Sequence, residues 1–289
     1  MQLETIPPRV RPVGNGEVRR VLPHRTRRMV GPFIFADLIG PETLQPGVGV
    51  DVDAHPHIGM STLTYLFEGS LEHRDSTGAV QTVEPGAVNW MTAGRGVCHT
   101  ERSPETQRAV ESTQFGLQTW VALPTNLEDT APTFEHQPAE AIPEESIGGA
   151  SVRLAAGTGW SMESPVSVSG PLVLAEVELG GESPRGASLP IETPHTELGI
   201  LCVTGDLFVD DQRVDPGHLA LLDGSGKHVM SGSAHAMVIG GDPVGERLIW
   251  WNFVASDRDR LEAAKDDWRH QRFPLVPGDH DPWVPLPPD

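Results

Sequence analysis

Residues 53–69 read DAHPHIGMSTLTYLFEG and residues 85–101 read PGAVNWMTAGRGVCHTE. The first stretch carries His55 and His57, and the second ends on His99 and Glu101, each pair split by one residue. Successive side chains of an extended strand point to opposite faces, so both members of a pair project from the same face. Working outward, short apolar runs at 62–67, 97–100, 117–123, 171–179 and 198–203 alternate with turn residues. The turns are well supplied by 31 glycines and 27 prolines. Helical periodicity is not sustained before residue 256. This pattern predicts an all-β chain of sandwich or barrel type. Asp75-Ser76-Thr77-Gly78 is expected to turn a hairpin.

An internal repeat points to two such units. FEGSL at 67–71 returns as VTGDL at 203–207, and QTVEPGAVNWM at 81–91 returns as QRVDPGHLALL at 212–222. The offsets are 136 and 131, so the second hairpin is five residues shorter. The order strand, glycine, hairpin, Pro-Gly turn, strand is kept in both copies. The expected organisation is an N-terminal domain over 1–125, a connection over 126–150, and a C-terminal domain with a terminal helix and tail over 151–289. The helix is expected at 256–271, with Ser256 as N-cap and Leu261, Ala264 and Trp268 on its apolar face. At the 136 and 131 offsets, His55 and His57 correspond to Ile191 and Thr193, and His99 and Glu101 to Met230 and Gly232. The second copy therefore lacks the ligand set, although His195 and His228 lie within two residues of it.

Bulk properties narrow the function classes. A net charge of −19 over 289 residues argues against direct nucleic-acid binding. The arginines of the first thirty residues, Arg9 to Arg28, read as an edge that pairs with acidic segments. Cys98 and Cys202 are too few and too far apart for a disulfide framework. No stretch is long and apolar enough to span a membrane, and the start MQLETIPPRVRPVG lacks a signal-peptide core. The expectation is a cytoplasmic monomer.

Three imidazoles and a carboxylate meeting at one point suit a divalent transition metal. Fe(II) is the first expectation, with Mn, Co, Ni, Cu and Zn as alternatives and one ion per chain. Structural zinc sites more often use thiolates, and alternation puts Cys98 on the opposite face from His99. His24, His73, His136, His270 and His280 have no partner at ligand spacing and read as surface or loop groups. Gly94-Arg95-Gly96 reads as a turn that demands small residues.

The two motifs resemble the pair that defines cupins, the small metal-binding β-barrels, and their variation resembles that of pirins. The usual first-motif glutamate is absent, with Thr62 near its place, and a carboxylate follows the second-motif histidine. RRMVGPFIFADLIGP at 27–41 resembles the pirin N-terminal signature. MTAGRGVCHTE at 91–101 resembles its metal segment, and WWNFVASDRDRLEAAKDDWRHQRFPLVPGD at 250–279 resembles bacterial members. The resemblance implies two cupin-type, jelly-roll-like barrels in tandem, the second of them degenerate. It places the metal ligands on His55, His57, His99 and Glu101.

It also implies one of two activities. The first is a quercetin 2,3-dioxygenase that opens a flavonol ring with dioxygen and releases carbon monoxide, with Glu101 as the catalytic base. The second is a non-enzymatic, iron-dependent redox sensor that binds a protein partner. In the dioxygenase reading Trp90, Met91, Phe33 and Phe35 are either pocket walls or, on the preferred reading, core residues.

Overall fold

The computed structural model describes residues 3–180, 186–223 and 226–288. Its elements are almost all strands, as the alternating pattern predicts, and they form two compact units. The units are interleaved in sequence. One comprises 1–10, 19–38 and 137–243, and the other 11–18, 39–136 and 244–289. They are called here the C-barrel and the N-barrel. The tail after residue 243 thus joins the histidine-bearing unit, outside the contiguous range of 151–289.

In the N-barrel a four-stranded antiparallel sheet runs in the order Asp51–His57, Val97–Arg102, Leu71–Asp75, Val80–Val83. A second sheet places Val88–Thr92, Met60–Glu68 and Ser112–Ala122 side by side. The expected hairpin joins Leu71–Asp75 to Val80–Val83, its tip held by Asp75 Oδ1, which accepts from Thr77 N at 2.8 Å and Ala79 N at 3.3 Å. Behind the histidine strands lies an apolar cluster of Ala54, Ile58, Cys98, Phe253, Leu261, Ala264, Trp268 and Phe273. This burial explains why the C-terminal helix belongs here. Its apolar face, Leu261, Ala264 and Trp268, is the one the sequence indicates.

The helix itself spans Arg258–Arg269, and its N-cap is Asp257 rather than Ser256. Asp257 accepts from Arg260 N at 3.0 Å, whereas Ser256 donates to Glu128 Oε2 at 2.8 Å. Beyond the helix, Val284 N donates to Ala54 O at 2.9 Å and Asp279 accepts from Thr100 Oγ1 at 2.8 Å. The extended tail thereby straps the outer side of the histidine strands.

The C-barrel is built on one large sheet, with Leu219–Asp223, Glu197–Val209, Val229–Gly241, Leu172–Leu179 and Ala150–Gly159 as successive neighbours. Its apolar core includes Leu189, Leu207, Met230 and Val238, all fully buried. Within this unit Arg20 pairs with Asp37 at 2.7 Å and Arg27 with Glu197 at 3.8 Å, the acidic partners expected for the arginine-rich start.

The repeat is visible in backbone conformation. Gly69 and Gly205 both take a left-handed φ, +84° and +87°. A Cβ at either would lie 2.4 Å from a facing carbonyl oxygen, that of Thr113 or Ser233. Only glycine serves at such a position. Strand pairing also corrects the register of the second motif. His73 faces Glu101 in the N-barrel, and in the C-barrel Val209, its counterpart at the 136 offset, faces Met230. Met230 therefore corresponds to Glu101 and His228 to His99, two residues from the expected positions. Ile191, the expected counterpart of His55, keeps its place and donates its N–H to the His228 carbonyl.

Candidate metal centre

Pairing between Asp51–His57 and Val97–Arg102 sets His99 opposite His55 and Val97 opposite His57. Alternation then points all three imidazoles to the interior. They offer one ring nitrogen each, and these nitrogens lie within 4.8 Å of one another. Among the described residues this is the one such cluster of three or more histidine, cysteine or acidic groups. All three rings are buried.

Hydrogen bonds orient the rings. His55 Nδ1 lies 2.8 Å from the Asp53 carbonyl and His57 Nδ1 lies 3.1 Å from the Asn252 carbonyl. A carbonyl only accepts, so both rings carry their proton on Nδ1 and, when neutral, leave Nε2 with a bare lone pair. His57 Nε2 is 3.0 Å from His99 Nε2. Two nitrogens each about 2.1 Å from one ion stand about this far apart when they subtend a right angle. Burial, reinforced by the neighbouring imidazoles, drives the pKa of His57 and His99 well below the ordinary histidine value. Burial also lowers His55, opposed by its bond to the Asp53 carbonyl. Neutral rings with converging lone pairs repel one another unless a cation lies among them, so these residues fit a divalent metal ion.

Glu101 is on the same strand, but the pairing register slips between His99 and Glu101. Its carboxylate is held inside the barrel by Thr64 Oγ1 at 3.1 Å and by Gln118 Nε2 at 3.1 and 3.2 Å. The cluster of closely spaced ligand atoms comprises the three histidines without it. Trp120 closes one flank, its ring centroid 5.2 Å from that of His57.

Several other side chains sort clearly. Cys98 is buried on the opposite face, where burial pushes its thiol pKa up to about 12, so it serves as a small core residue. Trp90 and Met91 are core residues of the N-barrel, while Phe33 and Phe35 fall in the C-barrel unit. The tight turn reading of 94–96 holds, since a Cβ on Gly94 would lie 2.1 Å from Thr130 O.

His73 departs from expectation. It is buried beside the centre, with Nε2 3.0 Å from Asp75 Oδ2 and Nδ1 3.3 Å from His99 Nδ1. The sequence signal was available in the spacing of His73 and Asp75 on one strand face. Only the strand order, which puts Leu71–Asp75 against Val97–Arg102, reveals its partner. In the C-barrel His195 lies with Nε2 3.2 Å from the Thr158 carbonyl, and His228 pairs with Asp210 at 2.6 Å.

Residues 15–121 match the Pirin family and residues 180–274 match the Pirin C-terminal cupin domain. The chain is 44% identical over 281 residues to a pirin-like protein of Caulobacter vibrioides, covering 95% of this chain and 96% of that one. It belongs to the pirin family. Human pirin is 30% identical over 266 residues, covering 88% of this chain and 87% of that one. A crystal structure of quercetin 2,3-dioxygenase from Acinetobacter baumannii superposes with a TM-score of 0.90 at 32% identity. That match covers 99% of this chain and 95% of the other. The two-barrel pirin architecture, with cupin domains in both halves, thus accounts for the whole described fold. Among the described residues no helix is long and apolar enough to cross a membrane.

Proposed function

We propose that this pirin is an iron-dependent dioxygenase of the quercetinase type, opening a flavonol ring with dioxygen and releasing carbon monoxide. The carrying observation is the set of three buried imidazoles beside a buried carboxylate, in a chain 32% identical to a quercetin 2,3-dioxygenase over 99% of its length. His55, His57 and His99 would hold the ion, with Glu101 as fourth ligand. When bound, the ion supplies positive charge that favours ionised hydroxyls and a meeting point for an organic anion and dioxygen.

The remaining work falls to side chains. Glu101 accepts the proton of the flavonol 3-hydroxyl. Thr64 and Gln118 donate to its carboxylate, keeping it oriented for that transfer. Trp120 and the apolar walls exclude water, which strengthens the charge interactions inside.

The test is quercetin consumption and carbon monoxide release by anaerobically iron-loaded protein, wild type beside Glu101→Gln. The wild type is expected to turn over, and Glu101→Gln to be slower by about 10²–10⁴-fold. Undiminished turnover in the variant would remove Glu101 as base. Absence of turnover with any divalent metal would refute the dioxygenase reading and favour the redox-sensor alternative. That reading in turn requires a protein partner whose binding follows the oxidation state of the iron.

A further inference from the structure

We propose that His73 and Asp75 are positioning residues of the metal centre, forming with His99 a hydrogen-bonded relay that fixes the His99 tautomer and presents its Nε2 to the ion. The proposal rests on the reading of the histidine cluster as a metal site, and it is independent of which reaction the metal serves.

The relay follows from donor and acceptor accounting. Strand pairing sets Asp75 opposite His99 and His73 opposite Glu101. Asp75 Oδ2 lies 3.0 Å from His73 Nε2, and an ionised carboxylate only accepts, so His73 carries its proton on Nε2. Neutral His73 therefore has a bare Nδ1, which lies 3.3 Å from His99 Nδ1. A hydrogen bond there requires the proton to sit on His99 Nδ1. His99 Nε2 is then bare, and it faces the bare Nε2 of His57 at 3.0 Å.

Each end of the relay is independently fixed. Asp75 Oδ1 accepts from Thr77 N at 2.8 Å, Thr77 Oγ1 at 2.6 Å and Ala79 N at 3.3 Å. The hairpin tip thus holds the carboxylate in one orientation. Phe134 stacks on His73 with ring centroids 4.5 Å apart and an interplanar angle of 21°, which holds the imidazole plane. His55 and His57 are oriented by backbone carbonyls, whereas His99 is oriented by side chains. The hairpin turn is therefore also the anchor of a metal ligand. Groups that orient a ligating histidine in this way typically change metal affinity about 10–100-fold when removed.

Asp75→Asn is the sharpest variant. Three donors face Oδ1, so the amide oxygen must take that place and the NH₂ must face His73. His73 Nε2 then becomes an acceptor, its proton moves to Nδ1, and the relay reverses. His73→Phe keeps an aromatic ring on Phe134 and leaves the hairpin tip intact but deletes the acceptor. His73→Asn restores an acceptor oxygen near the Nδ1 position.

The experiment measures Co(II) affinity by chelator competition, and reads the ring ¹⁵N shifts of His99 in metal-free protein. Expected results are His99 protonated on Nδ1 in the wild type, and binding about 10–100-fold weaker in Asp75→Asn and His73→Phe. His73→Asn should recover most of that loss, which a purely structural role would not predict. Should Asp75→Asn fail to fold, His73→Phe carries the same expectation. Wild-type His99 protonated on Nε2, or unchanged affinity in a folded His73→Phe protein, would overturn the proposal. A protein that binds Co(II) as described but never consumes quercetin would overturn the dioxygenase reading alone.

Discussion

The two barrels of this pirin share a strand plan but differ in what they bury. In the N-barrel the paired first strands bring His55, His57 and His99 to the interior, surrounded by buried Thr64, His73, Asp75 and Glu101. In the C-barrel the same positions hold Ile191, Thr193 and His228, and between 137 and 243 the described buried polar side chains are Ser164 and His195. A buried polar group without a partner costs about 1–3 kcal/mol, so each one in the N-barrel needs a matched neighbour. The C-barrel shows that the strand plan closes with few buried polar side chains. The polar interior of the N-barrel is therefore an addition to the fold, and its purpose is the site.

The N-barrel also carries an outer apolar layer, the C-terminal helix and tail. If that layer holds the histidine strands in place, Trp268→Ala should cost about 3–5 kcal/mol and destabilise the N-barrel selectively. Calorimetry should then resolve two unfolding transitions where the wild type gives closer ones. A uniform shift of both would contradict that division of labour.

A smaller effect is expected from placing an imidazole in the C-barrel core. Met230→His buries an imidazole in an apolar core and should destabilise by about 2–3 kcal/mol in denaturant titration, with no gain in bound metal. Gain of a second ion would show that the C-barrel retains a latent site.

A separate effect is in pH. The folded-state pKa values of His55, His57 and His99 lie below the ordinary value of about 6.5. Below that pH the unfolded chain takes up protons that the folded rings refuse, so stability falls as pH falls, by about 1.4 kcal/mol per unit for each such ring. Metal-free wild type should lose melting temperature from about pH 6.5 downward. A variant with all three rings replaced by glutamine should lose less over the same window.

The sequence carried more of the fold than of the site. Alternation, the Pro-Gly turns and the repeat identify two β-barrels because these are local signals, and the left-handed Gly69 and Gly205 bear them out. The three clustered histidines were legible from their spacing, since strand periodicity alone puts His55 beside His57. His73 was not, because its role depends on which strand neighbours Val97–Arg102, a long-range fact without a local pattern. The register of His228 escapes the sequence for a related reason, as a deletion in a connection shifts an offset without altering either strand. The tail packs with the N-barrel although it follows the C-barrel in sequence. Trp268 finds its apolar partners Ala54 and Cys98 far away in sequence, and burial rather than chain order decides the unit.

The central claim is one metal per chain, held in the N-barrel by its three histidines. Metal content per chain after anaerobic Fe(II) loading and desalting tests it most directly, in wild type and His57→Ala side by side. The account predicts one iron per wild-type chain and less than about a tenth of that in the variant, since removing one ligand of three or four costs far more than the 10–100-fold of an orienting partner. Two ions per wild-type chain, or an undiminished ion in His57→Ala, would contradict it.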